Sequence, residues 1–289
     1  MTISSLIHPV LSVVIPTWNR AQMVCEAIES ALAQDPSGIE VIVVDDGSTD
    51  DTDSQVVRRF GSKIRLIRKT NRGGTGAARN IGIRHATGEF LAFLDSDDLW
   101  LPGKLEAELG VFEKFPAAEA VVSDSLTFVE HQPSEQSWFQ INGLLAATQG
   151  HVRWLNDCPW LWTNWQNTLA MCSITMRRSI LDRIGQPVFV EDLNTCEDWE
   201  LELRLYNECR VAVLPEVWSY VRRVDDGGRP DRKPPGKPRT EFEEIRVLRD
   251  RLNVLERSLN LGGLKSDLLN ELERGRAVTT QQLARYEKV

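Results

Sequence analysis

The sequence predicts an α/β fold: a mostly parallel, Rossmann-like central sheet flanked by helices and followed by a C-terminal helical extension. Short apolar runs alternate with segments of helical periodicity over residues 1–125, an order typical of parallel sheets with right-handed crossovers. Polar clusters directly follow several of these runs. After residue 240, leucines recur at steps of three and four, the spacing of a helix with one apolar face.

The predicted strands of the first half are short runs of apolar and β-branched residues. The first covers residues 11–15 and stops at Pro16, and the second covers residues 39–44. Residues 63–67 supply the third, and residues 90–94 supply a fourth that is almost wholly apolar. Strands that are buried on both faces have this composition.

Helical periodicity fills the intervals between these strands. Apolar residues in 24–32 follow the i, i+3, i+4, i+7 pattern, and residues 77–85 form the helix before the fourth strand. The helix between them is expected to begin near Thr49 or Asp50, because such side chains cap the free N–H groups of a helix. A further helix is predicted over residues 103–115.

The second half of the chain is less regular. Residues 130–168 hold five of the nine tryptophans, namely Trp138, Trp154, Trp160, Trp162 and Trp165. The other segments predict strands at 120–123, 173–176, 211–214 and 217–221, a helical turn at 179–184 and a helix around Trp199. In the tail, a helix with apolar positions from Ile245 to Leu259 packs either on the domain or on a second subunit in a homodimer.

Composition excludes several classes of protein. The 289 residues carry a net charge of −8, so the chain as a whole is a poor nucleic-acid binder. No C-x-x-C pair occurs among Cys25, Cys158, Cys172, Cys196 and Cys209, which favours reduced thiols in a cytoplasmic protein over disulfides or a zinc site. No apolar run approaches the ~18 residues of a transmembrane helix, so contact with the inner face of a membrane would be peripheral.

Three polar clusters follow predicted strands, at residues 16–19, 45–46 and 95–98. Ligands of open parallel sheets bind beyond the carboxyl ends of the strands, so the three clusters are expected to converge on one active site. The third cluster holds three carboxylates, which are costly to bring together without a cation and suit Mg²⁺ or Mn²⁺. Acids that complement the dipole of the next helix would explain Asp97 or Asp98 singly, but not the set.

Two further segments have both a structural and a functional interpretation. Asp45 and Asp46 either cap the following helix or bind a base N–H or a ribose hydroxyl. The glycine-rich loop at 71–80 either presents N–H groups to phosphate or allows loop and helix to pack closely. Arg79 pairs either with phosphate or with one of these two aspartates.

Glu197 and Asp198 stand at the start of the predicted helix around Trp199. In one interpretation they complement the positive end of that helix, and the local sequence alone favours this role. In the other, one of them is a general base, because apolar surroundings raise the pKa of a carboxyl group toward neutral pH.

Taken in order, five segments resemble glycosyltransferase family 2, a large group of inverting enzymes with the GT-A fold. The segments are LSVVIPTWNR (11–20), VVDDGSTD (43–50), GAARN (76–80), GEFLAFLDSDD (88–98) and CEDWELELR (196–204). Each motif is modest by itself, but five in this order are highly specific, and the resemblance covers about residues 10–224. It implies a GT-A type fold and a hexosyltransferase activity.

Combined with the motif interpretations, the resemblance predicts a site by position. It assigns the nucleotide to Pro16, Thr17, Trp18, Asn19, Asp46, Arg79 and Asp95, a Mn²⁺ or Mg²⁺ ion to Asp97, and catalysis to Asp198. Trp18 would stack on the base, and Asp46 would accept a hydrogen bond from uracil N3–H. Asp95 would contact the ribose or the sugar, and the ion would bridge the two phosphates.

The implied reaction is a single in-line displacement that inverts the anomeric carbon. Asp198 takes the proton of an acceptor hydroxyl, whose oxygen attacks from the face opposite the diphosphate, and the cation neutralises charge on the leaving group. The donor is a nucleotide-sugar, with uridine favoured by the resemblance alone. The acceptor is a carbohydrate, a lipid-linked molecule or another hydroxyl-bearing molecule, as in polysaccharide biosynthesis.

The chain departs from the family in one respect. Many relatives carry a His after the last core strand, whereas this chain has none there, so Arg222, Arg223, Asp225 or water would take its place near the metal. The basic loop at 226–240 is either a flap ordered by the donor or a plain linker. One or two of the tryptophans in 130–168 are expected at the acceptor site, since aromatic faces stack on sugars.

The predicted organisation has three parts. A glycosyltransferase domain spans residues 1–225, with a nucleotide-binding half (1–125) and an acceptor half (126–225). A linker at 226–240 precedes the helical extension at 241–289.

Two other functions compete with glycosyl transfer. A sugar-nucleotide pyrophosphorylase also has a glycine-rich signature ending in arginine, but that signature follows the first strand, whereas residues 73–79 follow the third. A catalytically inactive nucleotide-binding protein is the other alternative, and the presence of Asp46, Asp97 and Asp198 favours an enzyme over it.

Overall fold

The structure, a computed structural model, describes residues 9–34, 38–129, 132–148, 150–155, 169–193, 195–223, 240–261 and 264–286. In chain order its elements are β1 (Leu11–Thr17), α1 (Ala21–Leu32), β2 (Ile39–Asp45), α2 (Thr52–Phe60), β3 (Arg65–Arg68), α3 (Thr75–His85), β4 (Phe90–Phe93), β5 (Leu99–Trp100), α4 (Lys104–Lys114), β6 (Ala120–Val129), β7 (Gln132–Ser137), α5 (Trp138–Ile141), α6 (Leu144–Thr148), β8 (Arg153–Trp154), β9 (Ile174–Arg177), α7 (Leu181–Ile184), α8 (Glu197–Glu208), β10 (Val211–Arg222), α9 (Glu241–Leu259) and α10 (Ser266–Leu283). The predicted α/β fold is confirmed. The predicted linker, apart from Thr240, lies outside the described residues.

All the described strands belong to one sheet. Its main path is β3-β2-β1-β4-β9-β6-β10-β5, with β7 paired to β6 and β8 paired to β10. The first four strands of this path are parallel, as the alternation of strands and helices predicts. β9 is antiparallel to both β4 and β6, so the second half of the sheet is mixed.

One difference from the predicted elements lies in the last core strand. Residues 211–214 and 217–221, predicted as two strands, form the single strand β10, whose pairing with β6 shifts register between Leu214 and Ser219. Pro215 lies in this irregular stretch and has no N–H for a strand ladder, which is why the break resembles a strand end in the sequence. The bulge keeps β10 continuous up to Arg222 at the edge of the site.

The side chains of β1, β2 and β4 alternate between two apolar cores on opposite faces of the sheet. The core beneath α3, α8 and α9 includes Val14, Ile42 and Phe93. The core beneath α1, α2 and α4 includes Val13 and Val43. Helices therefore cover both faces, as near-continuous apolar strands require.

The C-terminal extension is helical, as predicted, and packs on the domain. Val254 and Leu255 of α9, with Leu268 and Leu272 of α10, belong to the same core as Val14. Of the two predicted environments for α9, its own domain is therefore the one observed, and the homodimer stays a prediction. None of the helices that the structure describes is both long and apolar enough to span a membrane.

Candidate functional site

The carboxyl ends of β1, β2 and β4 open onto one cleft. The cleft has a volume of about 320 Å³ and is lined by Pro16, Thr17, Trp18, Asn19, Arg20, Met23, Asp46, Arg72, Gly74, Thr75, Ala78, Asp95 and Ser96. Six of the seven residues predicted to bind the nucleotide are in this lining, and Arg79 is the exception. The predicted convergence of the strand-end clusters is thus observed, while their contacts with a ligand stay predictions.

Asp46 holds the glycine-rich loop at the wall of the cleft. Its carboxylate accepts hydrogen bonds from the backbone N–H of Gly73 at 3.0 Å and of Gly74 at 2.8 Å, and it pairs with the ammonium group of Lys69. The turn before α2 is instead closed by Asp45, which accepts from the N–H of Ser48 at 2.9 Å. The two adjacent aspartates therefore have different partners, and Asp46 is the one directed to the cleft.

Trp18 lies under a cation at the mouth of the cleft. The guanidinium carbon of Arg72 lies 3.6 Å from the centre of the Trp18 ring, a distance typical of a cation–π stack. The next residue, Asn19, has φ 49°, a left-handed conformation that asparagine tolerates better than most residues. Its side-chain oxygen accepts from the N–H of Thr49 at 2.8 Å, which joins the loops after β1 and β2.

The turn after β4 brings three buried carboxylates together. One oxygen of each of Asp95, Asp97 and Asp98 lies within 4.8 Å of the others. A guanidinium nitrogen of Arg79 lies 2.5 Å from Asp95, and one of Arg20 lies 3.0 Å from Asp97. The donor set consists of carboxylate oxygens only, the ligand type that Mn²⁺ and Mg²⁺ take, so these residues fit such an ion.

Arg222, at the end of β10, braces this acidic turn. Its backbone N–H donates to Oδ1 of Asp98 at 2.9 Å, and its Nε donates to the carbonyl of Asp97 at 2.8 Å. A second guanidinium nitrogen lies 2.5 Å from Glu26. A guanidinium group has only donors, so Arg222 is no substitute for a histidine ligand. The third candidate for that role, Asp225, lies outside the described residues.

Arg79 connects the acidic turn to the start of α8. Its fully buried guanidinium group lies 2.5 Å from Asp95 and 3.0 Å from Oε1 of Glu197. The predicted pairing of Arg79 with Asp45 or Asp46 is not the one observed, because α3 directs this side chain toward α8. Gly76 permits α3 to lie close to the backbone at Val190, because a Cβ at Gly76 would lie 3.1 Å from the carbonyl oxygen of Val190.

Asp198 is half-buried in the first turn of α8, next to Glu197. It lies outside the group of described residues that line the cleft, and its Oδ1 accepts from the N–H of Trp199 at 2.9 Å. The preceding Cys196 has φ 65°. Burial, together with the charge of Asp198, raises the pKa of Cys196 to about 12, so this side chain stays a neutral thiol at neutral pH.

The described tryptophans of the irregular region have different environments. Trp154 pairs with the amino-terminal part of β10, at the end of the strand away from Arg222, and its ring packs against Phe115 with centroids 6.1 Å apart. The guanidinium group of Arg223 lies 5.3 Å from the centre of the Trp138 ring. Trp138 therefore contacts the residue that directly follows β10. Trp160, Trp162 and Trp165 lie outside the described residues.

Several residues at the site have no specific role in the sequence-based prediction. Arg20 directly follows the polar cluster after β1, and Arg72 lies in the glycine-rich loop at 71–80. These positions are the sequence signal that places both residues near the site. Lys69 follows β3 at the same sheet edge. For Glu197 the sequence predicts a helix-terminal acid or a general base, but not the ion pair with Arg79, which is 118 residues away in the sequence.

Comparison with known proteins gives a family match over most of the chain. Residues 12–184 match the family described as Glycosyl transferase family 2. An uncharacterized glycosyltransferase of Rickettsia typhi is 41% identical over 217 residues, which are 75% of this chain and 65% of that protein. Other relatives are much longer: the chain spans 33%, 31% and 29% of the length of three glycosyltransferases from other Rickettsia species.

Solved structures confirm the GT-A type fold. Residues 1–349 of Staphylococcus aureus TarS, in complex with UDP-GlcNAc, align with a TM-score of 0.62 and 22% identity over 96% of this chain and 71% of that chain. The mannosyltransferase PcManGT from Pyrobaculum calidifontis, in complex with GDP-Man and Mn²⁺, aligns with a TM-score of 0.68 and 20% identity over 98% of this chain and 74% of that chain. At these identities the likeness concerns the fold.

Proposed function

Because the chain belongs to glycosyltransferase family 2, and is therefore a transferase, we propose that it moves a sugar from a nucleoside diphosphate to an acceptor hydroxyl with inversion. The observation that carries the proposal is one cleft, lined by Trp18 and Asp46, beside three clustered carboxylates. TarS binds UDP-GlcNAc and PcManGT binds GDP-Man with Mn²⁺, which supports a nucleotide-sugar donor. We favour uridine as the base.

On the donor side, the base would occupy the part of the cleft between Trp18 and Asp46. Arg72 covers one ring face of Trp18, so a base that stacks there displaces this guanidinium group or inserts beneath it. Asp46 uses its carboxylate for the N–H groups of Gly73 and Gly74 and for the ammonium group of Lys69, and a carboxylate accepts about four hydrogen bonds. A base N–H would therefore take the place of one of these donors.

At the acidic turn, Asp97 would hold the divalent ion, with Asp95 and Asp98 beside it. When bound, such an ion neutralises negative charge on the diphosphate leaving group. Arg20 lines the cleft next to Asp97, so it offers a second positive charge to the phosphates. Asp95, held by Arg79, would contact the ribose or the sugar.

On the acceptor side, Asp198 would remove the proton from the attacking hydroxyl. The acceptor oxygen then forms a bond to the anomeric carbon while the bond from that carbon to the diphosphate breaks. The link from Asp95 through Arg79 to Glu197 ties the start of α8 to the donor side, which would keep the base at a fixed distance from the sugar. The acceptor class and the cytoplasmic location stay predictions.

A turnover assay with candidate nucleotide-sugars and Mn²⁺ tests this function. Release of nucleoside diphosphate supports transfer, formation of nucleoside triphosphate and sugar 1-phosphate on addition of pyrophosphate supports a pyrophosphorylase, and neither reaction supports an inactive binding protein. We expect Asp97→Ala to lose metal-dependent donor affinity in calorimetry, because it removes a direct ligand. We expect Asp198→Asn to keep donor binding and lose about 10²-fold or more in transfer rate.

The control variant is Asp182→Asn, which removes an exposed carboxylate in α7. We expect it to keep both donor affinity and transfer rate. Unchanged donor affinity of Asp97→Ala in Mn²⁺ would contradict the metal assignment, and a near-normal transfer rate of Asp198→Asn would contradict the base assignment.

A further inference from the structure

The C-terminal extension holds the residue that precedes the turn into α8. The backbone N–H and the hydroxyl of Thr195 both donate to Oδ2 of Asp250, at 2.9 and 2.8 Å. Thr195 is 1% exposed and Asp250 is 8% exposed, so water competes little for these hydrogen bonds. Asp250 lies in α9, so this contact joins the C-terminal helices to the segment that precedes α8.

The next residue, Cys196, has a backbone conformation that needs support. Its φ of 65° is left-handed, which strains any residue with a side chain and persists only where the surroundings hold it. Its carbonyl oxygen accepts from the N–H of Glu200 at 3.0 Å, which is the first hydrogen bond of α8. The fixed Thr195 on one side and the helix on the other thus define this turn.

A second buried contact holds the start of α8 from the donor side. Glu197 pairs with Arg79 of α3 at 3.0 Å, and Asp198 follows directly. The start of α8 therefore lies between two buried anchors, one from α3 and one from α9. α9 is itself fixed, because Val254 and Leu255 belong to the central core.

We propose that Asp250 is a positioning residue for the transfer reaction. By fixing Thr195 and the left-handed turn at Cys196, it sets the position of the Asp198 carboxylate relative to the cleft. The inference rests on the proposed function, in which Asp198 is the general base. A base must lie within hydrogen-bond reach of the proton that it removes, and a misplacement of about 1 Å slows catalysis up to ~100-fold.

The central comparison is between Thr195→Val and Thr195→Ser. Valine has nearly the same shape as threonine but lacks the hydroxyl that donates to Asp250, whereas serine keeps it. Asp250→Ala removes the acceptor entirely. The matched control is Arg257→Gln, which breaks a different contact of α9 with the same segment, the exposed ion pair with Asp192 at 2.6 Å.

The readouts separate positioning from a general loss of structure. UDP with Mn²⁺ is the binding probe, measured by calorimetry, and release of UDP from a UDP-sugar that supports turnover gives kcat. We expect Asp250→Ala to lower kcat about tenfold or more and Thr195→Val to lower it by a smaller factor. The Kd of UDP is expected to change less than about twofold, since the donor side keeps its own contacts. Thr195→Ser and Arg257→Gln are expected to keep the wild-type kcat.

Two results would overturn the proposal. One is an unchanged kcat in both Thr195→Val and Asp250→Ala. The other is a parallel loss of kcat and UDP affinity, which would indicate a purely structural contact. If Asp250→Ala does not fold, the two variants of Thr195 carry the same test.

The variant Asp198→Asn distinguishes failure of this inference from failure of the proposed function. Loss of transfer in Asp198→Asn, with a normal kcat in both Thr195→Val and Asp250→Ala, contradicts the positioning role alone. Full transfer in Asp198→Asn contradicts the base assignment on which the inference rests.

Discussion

At the scale of single residues, charge at the acidic turn is partly neutralised by the chain itself. Arg79 pairs with Asp95, and Arg20 pairs with Asp97. These guanidinium groups offset the mutual repulsion of carboxylates whose oxygens lie within 4.8 Å of one another. A divalent ion that binds these carboxylates therefore competes with the guanidinium groups for the same oxygens. It also adds to the positive charge that is already at the turn.

We expect Arg20→Gln to lower the free energy of unfolding by about 3 kcal/mol in the presence of a chelator. The reason is that the Asp97 side chain is 0% exposed and loses an ion-pair partner. Mn²⁺ is expected to stabilise this variant more than the wild type, because the ion replaces the missing charge. Thermal unfolding with and without Mn²⁺ measures both effects.

The control for this prediction is Arg59→Gln, which breaks the exposed ion pair with Glu29. It is expected to change stability by less than about 1 kcal/mol and to leave the Mn²⁺ effect unaltered. An equal Mn²⁺ effect in Arg20→Gln and the wild type would show that Arg20 does not compensate for the ion.

Local sequence predicts which residues gather at the site better than it predicts their partners. Asp95 and Asp97 follow a buried strand in one short motif, so their placement at the sheet edge could be predicted from the chain order. The contact of Arg79 with Glu197 spans 118 residues, and no local pattern specifies it. The same holds for Asp250, which is one acid among many in a charged helix.

At the scale of elements, buried polar residues explain where prediction and structure differ. The strand predicted at 120–123 continues as β6 to Val129, through a polar stretch that apolar patterning does not recognise. Asp124 is buried there and accepts from the N–H of Ser125 at 2.7 Å and of Phe139 at 2.9 Å. Its hydrogen bonds make burial tolerable. β7 was not predicted because it is a polar, mostly exposed strand.

Glu40 connects β2 to β1 and to the segment after α3, at the amino ends of the parallel strands and away from the cleft. Its Oε1 accepts from the hydroxyl of Ser12 at 2.6 Å and from the N–H of Thr87 at 2.7 Å. Burial raises the pKa of Glu40, but these hydrogen bonds outweigh burial and hold the pKa below its ordinary value. Ionised Glu40 therefore stabilises the fold above its unfolded-state pKa, and this contribution is lost as the pH falls through the folded-state pKa.

We expect Glu40→Gln to lower the free energy of unfolding by about 1 kcal/mol at pH 7, because glutamine keeps an acceptor oxygen but loses the charge. The difference from the wild type is expected to shrink as the pH falls through the folded-state pKa, because the wild-type carboxyl then also becomes neutral. Urea denaturation between pH 7 and pH 3 measures this. Glu89→Gln is the control, since that side chain is 67% exposed, and a difference independent of pH would contradict the role given to Glu40.

At the scale of the whole molecule, the C-terminal helices and the sheet share one apolar core. Leu255 of α9 is 0% exposed and belongs to the same cluster as Val14 of β1 and Phe93 of β4. The sequence predicts an apolar helix face at 245–259, but not the surface on which it packs. The spacing of the apolar residues is the same whether the helix packs on its own chain or on a second subunit. Shared burial predicts that extension and domain unfold together.

We expect Leu255→Ala to destabilise the entire chain by about 2–5 kcal/mol through the cavity that it leaves. All nine tryptophans precede α9 in the sequence, so tryptophan fluorescence reports on the domain and circular dichroism reports on all helices. Both probes are expected to shift together in denaturant. Leu261→Ala, at a position 39% exposed, is the control. A shift in circular dichroism alone would mean that the extension unfolds independently.

The sheet runs without interruption from β3 to β5, and β9 is hydrogen-bonded to β4 on one side and β6 on the other. The halves predicted for nucleotide and acceptor are thus joined by a ladder rather than by a hinge. A clamshell opening would break the β4–β9 or β6–β9 hydrogen bonds, so we expect substrate entry and product release to depend on loops and side chains at the rim. Crosslinking the two halves across this ladder should accordingly leave turnover intact.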